Sequence, residues 1–511
     1  MTGSTGFVGL DLGTSSLKGV VVGPDGTVLA HARASYPTRR PRPGHAEQDP
    51  ADWDRAVAAV VASLRAQWPG TLLALGLSGM IPTLVTLDVD LAPVGPAITW
   101  EDTRAEREGA ALRDGIGAET LYRTTGQWLD GRYLVPMHHW LRAHDPDRAG
   151  ATRWLASAKD HLFHSLTGEL ATDPSTAAGF GPLALASLAW DRGLCQALGV
   201  TPGHPRPAAP ALPEVRPTDD ARPLSRAAAR RLGLEAGLAV VLGAADSVAG
   251  ALGLGAEQPG AIAHLAGTST VILGIASEPR FDPAHRWLVT PLAGGPGWGL
   301  EMDLLATGSA LAWLADLLRL PGPNGSAVLE LAAEAEAGAA GVVFLPYLAF
   351  GEQGALWDPA LRGAVGGLNL ASGPPELARA LVEGILVETR RCTDLLRGRG
   401  AGGLGPVHAG GWGAHHTGFR QWLADATGRP VLTPDARDSG DEAHVGLASA
   451  VGAARLAARS VGAPLPDTTV RPPLWTHPGD VGRDLWSRIA ERHERWRRQT
   501  HPHRPGRGPT A

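Results

Sequence analysis

The segment Asp11-Leu12-Gly13-Thr14-Ser15-Ser16-Leu17-Lys18 combines a carboxylate, a glycine turn, three hydroxyl side chains and a lysine. The apolar run that begins at Phe7 ends at Asp11, which predicts a strand followed by a tight hairpin. Such a turn exposes successive backbone N–H groups to an anion, and a carboxylate beside it suits a water-mediated magnesium ion. The alternative is an ordinary hairpin with an Asx-type turn and no ligand.

A second glycine-hydroxyl turn, Gly267-Thr268-Ser269, follows the apolar run 261–265. Phosphoryl transfer needs backbone N–H groups and cations around the phosphates, a carboxylate for magnesium and a base for the attacking hydroxyl. The chain has no GxxxxGK[ST] loop and no G-x-G-x-x-G that opens a helix in a suitable context. A phosphate site would therefore be built from two hairpins, one in each half of the chain, that grip a nucleotide from both sides.

Asp246 follows Gly243-Ala244-Ala245 at the end of the apolar run 240–242. An aspartate at this position can cap the predicted helix Ser247 to Leu252. The helix dipole stabilises an ionised carboxylate at a helix N-terminus, by roughly 0.3–1 kcal/mol. A capping role and a role as a charged base are therefore compatible.

These segments resemble, in type and order, the FGGY family of carbohydrate kinases, which belongs to the actin-like, ribonuclease H-like ATPase superfamily. The resemblance extends over about residues 7–500, and D-xylulose kinases are the most similar members overall. Each matching motif is weak alone, but seven in family order are specific. They are Gly9 to Lys18, Trp100 to Arg104, Lys159-Asp160 with Thr167 to Glu169 and Asp173, Gly243 to Gly250, Gly267 to Ser269, Phe344 to Tyr347 through Gly351-Glu352 to Arg362-Gly363, and His408 to Gly411.

The resemblance implies ATP and Mg²⁺ as cofactors and assigns roles to matching residues. Asp11 would hold the magnesium ion of Mg-ATP, and Asp246 would be the catalytic base that orients the substrate hydroxyl and accepts its proton. The implied nucleotide-binding residues are Asp11, Gly13, Thr14, Ser15, Lys18, Gly267, Thr268, Gly308, Gly410 and Gly411.

The sugar-binding residues implied by the resemblance begin with Asp102 and Arg104, in a Trp-x-Asp-x-Arg pattern. Their carboxylate and guanidinium groups would bind sugar hydroxyls beside Asp246, and the alternative is a surface ion pair. A ketopentose such as D-xylulose is the first expectation for the substrate. Another polyol, ketose or sugar acid is the alternative, as is a non-catalytic sugar or nucleotide sensor of the same fold.

Met80 and Ile81 complete the implied sugar pocket, and here the chain departs from the family pattern. D-xylulose kinases carry Gln-Met-His-Gly where this chain has Gly79-Met80-Ile81-Pro82. Neither Ile81 nor Pro82 supplies a polar side chain. Because buried polar contacts carry most discrimination among hydroxylated substrates, the sequence leaves the identity of the sugar open.

The length of 511 residues exceeds what one core accommodates, since cores stop growing near roughly 250–300 residues. We expect two α/β domains of ribonuclease H-like fold, with the active site in a cleft that closes over sugar and ATP. The predicted divisions are 7–245 for sugar and phosphate binding, 246–460 for adenosine binding with the base at its start, and 461–511 for a C-terminal helix and tail.

Hydrophobic periodicity predicts the elements that would position these residues. The predicted elements are three antiparallel strands at 7–11, 17–22 and 27–34, a helix at 54–67, a buried strand at 72–77, restarting strands at 240–242, 261–265 and 271–275, a Pro-rich surface connection at 202–223, and an Arg-rich helix at 484–498.

Composition restricts the partners. The net charge of -5 on a large body indicates no basic face, so nucleic acid is not expected. The longest weakly charged stretch, 238–276, contains Asp246 and Glu257, which argues against a membrane helix. Two isolated cysteines and no signal-like start favour a cytoplasmic location. A homodimer is possible.

Overall fold

The computed structural model describes residues 4–206, 209–321, 325–349, 354–356, 358, 360–399, 405–434, 446–466, 473–479 and 482–501. Residues Gly351 and Glu352 of the sixth motif and the tail predicted after His501 lie outside these ranges. Within the described ranges, no helix has both the length and the apolar character needed to cross a bilayer.

The chain forms two compact units. Unit 1 consists of Met1–Gly253, Val289–Gly297 and Ser449–Val470, and unit 2 consists of Leu254–Leu288, Trp298–Ala448 and Arg471–Ala511. The division predicted between residues 245 and 246 falls between a strand and the helix that follows it. Unit 1 continues through that helix and also receives a segment from near the end of the chain.

The secondary structure alternates between strands and helices throughout. The strands are β1 (Thr5–Leu12), β2 (Ser16–Val22), β3 (Val28–Ser35), β4 (Glu47–Gln48), β5 (Thr71–Gly79), β6 (Leu84–Leu87), β7 (Ala97–Ile98), β8 (Trp154–Ser157), β9 (Ala171–Thr172), β10 (Leu183–Ala184), β11 (Ala189–Trp190), β12 (Thr201–Pro202), β13 (Ala211–Leu212), β14 (Glu214–Val215), β15 (Ala221–Pro223), β16 (Ala239–Ala245), β17 (Ile262–Ala266), β18 (Thr270–Ala276), β19 (Leu288–Pro291), β20 (Trp298–Leu304), β21 (Val343–Leu345), β22 (Ala364–Gly366), β23 (Val407–Gly411), β24 (Val431–Thr433) and β25 (Leu474–Thr476).

The helices are α1 (Pro50–Gln67), α2 (Glu106–Ile116), α3 (Ala118–Thr125), α4 (Leu134–His144), α5 (Pro146–Ala151), α6 (Ala158–Thr167), α7 (Pro174–Ala177), α8 (Arg192–Leu198), α9 (Arg226–Leu232), α10 (Asp246–Gly253), α11 (Gly308–Leu318), α12 (Ser326–Ala333), α13 (Pro374–Arg399), α14 (Thr417–Thr427), α15 (Ala448–Ser460) and α16 (Gly482–Thr500). Single 3₁₀ turns occur at Ala178–Phe180, Ala339–Gly341 and Gly354–Leu356.

The main sheets of the two units repeat one arrangement. In unit 1, β1, β2 and β3 are consecutive antiparallel strands, and β5 and then β16 add in parallel on the other side of β1. In unit 2, β17, β18 and β20 are antiparallel, and β23 and then β24 add in parallel beside β17. The restart of the strand pattern predicted at 261–265 and 271–275 is therefore confirmed, whereas the strand predicted at 240–242 is β16 and belongs to the sheet of unit 1. A further sheet of unit 1 has the order β12-β13-β8-β6-β7-β4.

Helix α1 shows how local sequence builds the layer that covers the first sheet. Asp49 caps the helix by accepting a hydrogen bond from the backbone N–H of Ala51, and Pro50 occupies its first turn. The buried face of α1 packs against β2 and β3, and each buried Val or Leu side chain stabilises the fold by ~1.5–3 kcal/mol. The buried residues are Pro50, Trp53, Ala56, Val57, Val60, Val61 and Leu64. The helix predicted at 54–67 is confirmed and begins one turn earlier.

The Pro-rich segment 202–223 differs from its prediction as a plain surface connection. It holds β13, β14 and β15 together with the second residue of β12. Each of these strands is only two or three residues long, because proline has no N–H to donate to a ladder and interrupts pairing. Beyond this segment, the predicted C-terminal helix is confirmed as α16, with Trp486 and Ile489 buried.

Helix α15 returns from near the end of the chain onto the first sheet, where glycines let backbones touch. A Cβ atom at Gly9 of β1 would lie 1.8 Å from the carbonyl oxygen of Ala450. A Cβ atom at Gly452 would lie 1.8 Å from the carbonyl oxygen of Ala249 in α10. No side chain fits into either contact, so glycine is required by packing.

Replacing Gly452 with alanine should lower the free energy of unfolding by ~2–3 kcal/mol, because the added methyl group overpacks a backbone contact. Gly115→Ala in α2 is the matched control, because a Cβ atom there has nothing within 4 Å. That control should be neutral or stabilising by up to about 1 kcal/mol, since alanine favours the helix. Urea unfolding of both variants measures the difference, and equal effects would contradict the packing argument.

Candidate active site

The carboxyl ends of three adjacent parallel strands meet at one edge of the first sheet. Asp11 of β1 pairs in register with Ser78 of β5, and Ser78 pairs in register with Ala244 of β16. Asp246 lies two residues beyond Ala244, as the first residue of α10. Because neighbouring strands lie ~4.8 Å apart, the ends of β1 and β16 are roughly 10 Å from each other. The two predicted functional carboxylates therefore lie at the same edge, on either side of β5.

Asp11 is a buried carboxylate with two polar partners. Ser78 donates from Oγ to Asp11 Oδ1 at 3.1 Å, and Lys18 Nζ lies 3.8 Å from Asp11 Oδ2. Burial raises the pKa of Asp11 above its ordinary value, while Lys18 and Ser78 act in the opposite direction by stabilising the charged form. Ser78 is a site residue that sequence reasoning missed, although it directly follows the predicted strand 72–77.

The hairpin between β1 and β2 is held by side chains from later segments. The backbone N–H of Gly13 donates to Ser16 O at 3.1 Å, and the Tyr36 hydroxyl donates to the carbonyl oxygen of Gly13. Gln48 Nε2 donates to the carbonyl oxygen of Thr14 at 2.6 Å. These contacts fix the turn, in which Ser15 is exposed and Gly13 and Thr14 are half-buried.

The chemistry of this edge fits magnesium that arrives with a nucleotide. Asp11 offers carboxylate oxygens, the hard ligands that Mg²⁺ prefers, beside a turn of backbone N–H groups. Within the described ranges, no group of three or more His, Cys, Asp or Glu side chains is arranged to hold a metal ion. One carboxylate suits an ion that keeps most of its waters and binds the phosphates of its substrate.

Asp246 is half-buried at the N-terminus of α10. Its Oδ1 accepts the backbone N–H of Ser247 at 2.9 Å, and its backbone carbonyl accepts the Ser449 hydroxyl at 2.9 Å. The sequence-based expectation of a carboxylate at a helix N-terminus is confirmed, and the helix dipole there favours its ionised form.

Asp102 and Arg104 form a buried ion pair, so the alternative of a surface pair is wrong. The side chains are 1% and 4% exposed, and Arg104 donates to both oxygens of Asp102. Asp102 Oδ2 also accepts the backbone N–H of Ala46 at 2.6 Å, and Arg104 donates to Glu47 at 2.7 Å. Trp100, from the same motif, donates from Nε1 to Thr14 Oγ1 at 3.0 Å and so contacts the hairpin.

The predicted pocket residues Met80 and Ile81 continue from the end of β5. Met80 donates its backbone N–H to Leu12 O at 2.8 Å, and its side chain is buried in the core of unit 1. Ile81 is half-buried and packs against Gly179, where an added Cβ would lie 2.7 Å from the Ile81 side chain. No polar side chain replaces the histidine that the family pattern has here.

In unit 2, the remaining nucleotide-binding candidates lie at the corresponding edge of the second sheet. Gly267-Thr268-Ser269 is the turn between β17 and β18, and the carbonyl oxygen of Thr268 accepts the backbone N–H of Ser309 at 3.1 Å. A Cβ at Gly308 would lie 2.2 Å from Gly267 O, so these segments touch. The candidates Gly410 and Gly411 pair in register with Leu265 and Ala266 at the end of β17.

Sequence reasoning also missed Trp412 in this group. Its indole N–H is buried without a hydrogen-bond partner among the described residues, 3.0 Å from the position of a Cβ at Gly308. The signal was a tryptophan directly after two glycines. The structure thus brings the eleven predicted nucleotide and base positions into one cluster in each unit, and their individual roles stay predictions.

Comparison with known proteins identifies relatives of the whole chain. Residues 7–253 match the N-terminal domain of the FGGY family of carbohydrate kinases, and residues 262–461 match the C-terminal domain of the same family. The xylulose kinase of Escherichia coli is 31% identical over 88% of this chain and 89% of its own length. The gluconokinase of Bacillus subtilis is 26% identical over 85% of each chain.

The fold is also that of solved relatives. The crystal structure of xylulose kinase from Rhodospirillum rubrum superposes with a TM-score of 0.82 at 29% identity, over 97% of this chain and 99% of that chain. The predicted fold class, two α/β domains of the actin-like ATPase type, is therefore confirmed. The expectation of a cleft between the domains stays a prediction.

Replacing Lys18 with methionine keeps the length of the side chain and removes the charge that lowers the pKa of Asp11. The pKa of Asp11 should then rise further, so that its carboxylate is protonated at higher pH. We expect the acidic limb of the pH profile of kcat/KM for ATP to move to higher pH. The pH-independent value should also fall about 10–100-fold, as for loss of a charged hydrogen bond.

Arg33→Met is the control. Arg33 lies opposite Lys18 in the register of β2 and β3, but it is not among the groups that shift the pKa of Asp11. Its acidic limb should stay in place. An unmoved limb in the Lys18 variant would show that Lys18 does not tune Asp11.

Proposed function

Because the chain belongs to the FGGY family of carbohydrate kinases, we propose that it transfers the γ-phosphoryl group of Mg-ATP to a hydroxyl of a ketopentose such as D-xylulose. The observation that carries the proposal is the pair of carboxylates at one sheet edge. Asp11 and Asp246 end strands that are separated only by β5. That spacing leaves room for a phosphate group and a sugar hydroxyl between them.

The chain's own residues supply positioning and electrostatics, which dominate catalysis of phosphoryl transfer. The hairpin at 13–16 presents backbone N–H groups and the Lys18 ammonium to phosphate oxygens. Asp11 would hold the magnesium ion that arrives with the nucleotide, and the ion when bound would neutralise charge on the phosphates. Asp246 accepts a hydrogen bond from the substrate hydroxyl and takes its proton late in the transfer.

The charge around Asp102 supports a neutral sugar over a sugar acid. Arg104 is already paired with two carboxylates, those of Asp102 and Glu47. Partial burial and the nearby Arg104 lower the pKa of His45, so its imidazole is neutral at pH 7. With Arg104 paired to carboxylates and His45 uncharged, neither side chain offers an uncompensated positive charge to the carboxylate of a substrate such as gluconate.

An ADP-release assay over a panel of sugars tests the substrate. D-xylulose and other ketopentoses should give the largest kcat/KM, polyols such as glycerol a smaller value, and gluconate the smallest. Turnover that is fastest with gluconate would contradict the argument from charge. Binding of sugar and nucleotide without any ADP release would support the sensor alternative.

Asp246→Asn should lower kcat by about 10²–10⁴-fold, because an amide cannot accept the proton of the substrate hydroxyl. The Kd for ATP should stay within a factor of about two, since the phosphate-binding hairpins are unchanged. Steady-state kinetics and calorimetric titration with ATP measure the two effects. Glu235→Gln on the surface of unit 1 is the control and should behave as the unaltered protein. Near-normal turnover of Asp246→Asn would remove Asp246 from the mechanism.

A further inference from the structure

Lys159 is a fully buried cation with a complete set of acceptors directly beneath the proposed site. Its Nζ donates to Leu242 O at 3.1 Å and to Asp160 Oδ1 at 3.3 Å, and it forms an ion pair with Asp173 Oδ2 at 3.0 Å. Burial, the largest single influence, lowers the pKa of Lys159, but Asp173 and Asp160 together hold it above its ordinary value. The ammonium is therefore charged, and because its side chain is 0% exposed it is not available to bind a substrate.

Asp173 extends this contact toward Asp246. Its Oδ1 accepts the backbone N–H and the hydroxyl of Ser175. The Ser175 Oγ in turn accepts the backbone N–H of Ala245 at 2.9 Å. Ala245 is the last residue of β16 and directly precedes Asp246, so a continuous polar path joins the buried ammonium to the backbone N–H of the residue before the proposed base.

Lys159 and Ser175, at the two ends of this path, contact β16 on either side of an irregular part of the strand. The pairing of β16 with β5 is irregular between Val241 and Ala244. Gly243 within the irregularity has φ of +76°, and a Cβ there would lie 1.6 Å from Leu77 O. The irregularity interrupts the ladder between β16 and β5, so contacts outside that ladder must hold this end of β16. Lys159 holds the carbonyl before it, and Ser175 holds the N–H after it.

We propose that Lys159, Asp173 and Ser175 form a positioning chain that holds the carboxylate of Asp246 in register for catalysis. The proposal rests on the proposed function of Asp246 as the base. Its physical basis is that proton acceptors act only within hydrogen-bond reach, and a displacement of about 1 Å costs about 10²-fold in rate. The three residues touch neither nucleotide nor sugar in this scheme and act through the backbone of β16.

Ser175→Ala is the decisive variant. Removal of Lys159 would leave two buried carboxylates without a cation, and loss of folding is the expected result there. Ser175→Ala removes the acceptor of the Ala245 N–H and one donor to Asp173, whose Oδ1 keeps the backbone N–H of Ser175. It should lower kcat by about 10–100-fold while KM for sugar and ATP stays within about two-fold. The control is Thr176→Val, since the Thr176 hydroxyl is buried, adjacent and without a hydrogen-bond partner among the described residues. Its kcat should match that of the unaltered protein.

A double-mutant cycle with Asp246→Asn separates positioning from a general structural effect. If Ser175 acts through Asp246, adding Ser175→Ala to Asp246→Asn leaves the residual turnover unchanged. Independent losses that multiply would overturn the positioning chain, as would a normal kcat of Ser175→Ala. Near-normal turnover of Asp246→Asn alone would instead overturn the proposed base, so the two failures are distinguishable.

Amide hydrogen exchange gives a readout that does not depend on activity. The Ala245 amide should exchange at least about 10-fold faster in Ser175→Ala than in Thr176→Val, because its acceptor is lost. Equal exchange in the two variants would show that Ser175 does not hold the end of β16, and the proposal would fail.

Discussion

Parallel pairing of β1, β5 and β16 is the constraint on which the proposed site depends. Asp11, Ser78 and Ala244 are aligned in one row by this pairing, and Asp246 follows directly beyond it. A slip of one residue in any of these strands would turn its side chain to the opposite face of the sheet. The positions of the two carboxylates along the sheet edge are therefore set by the backbone pairing of these three strands.

Buried charges are tolerated at this edge because each has a partner. Removing ions from water costs several kcal/mol per ion unless good geometry and hydrogen bonds compensate. Lys159 meets this condition with three acceptors, and Arg104 meets it with Asp102 and Glu47. Both clusters hold backbone segments that border the site. Because these buried ions are already paired, they act by holding nearby backbone in place. The half-exposed groups are the ones available to bind the substrates.

Prediction from sequence succeeded where the signal was local. The hairpin at 13–16, the helix α1 and the restart of the strand pattern all follow from neighbouring residues, and the structure confirms them. The partners that stabilise the hairpin were missed, because they are distant in sequence. Ser78 is 67 positions from Asp11, and Gln48 is 34 positions from Thr14. A single serine or glutamine carries no pattern that predicts such a contact.

The sequence by itself determined the family, the two α/β domains and the residue types available for phosphoryl transfer, since these depend on motif order and hydrophobic periodicity. Only the tertiary structure decided which of those residues meet. Strand order and register place Asp246 beside β5, and they bury the pair Asp102–Arg104 that the sequence left between surface and pocket. The physical reason is that periodicity encodes which face of an element is buried, whereas contacts between distant elements depend on how those faces pack together.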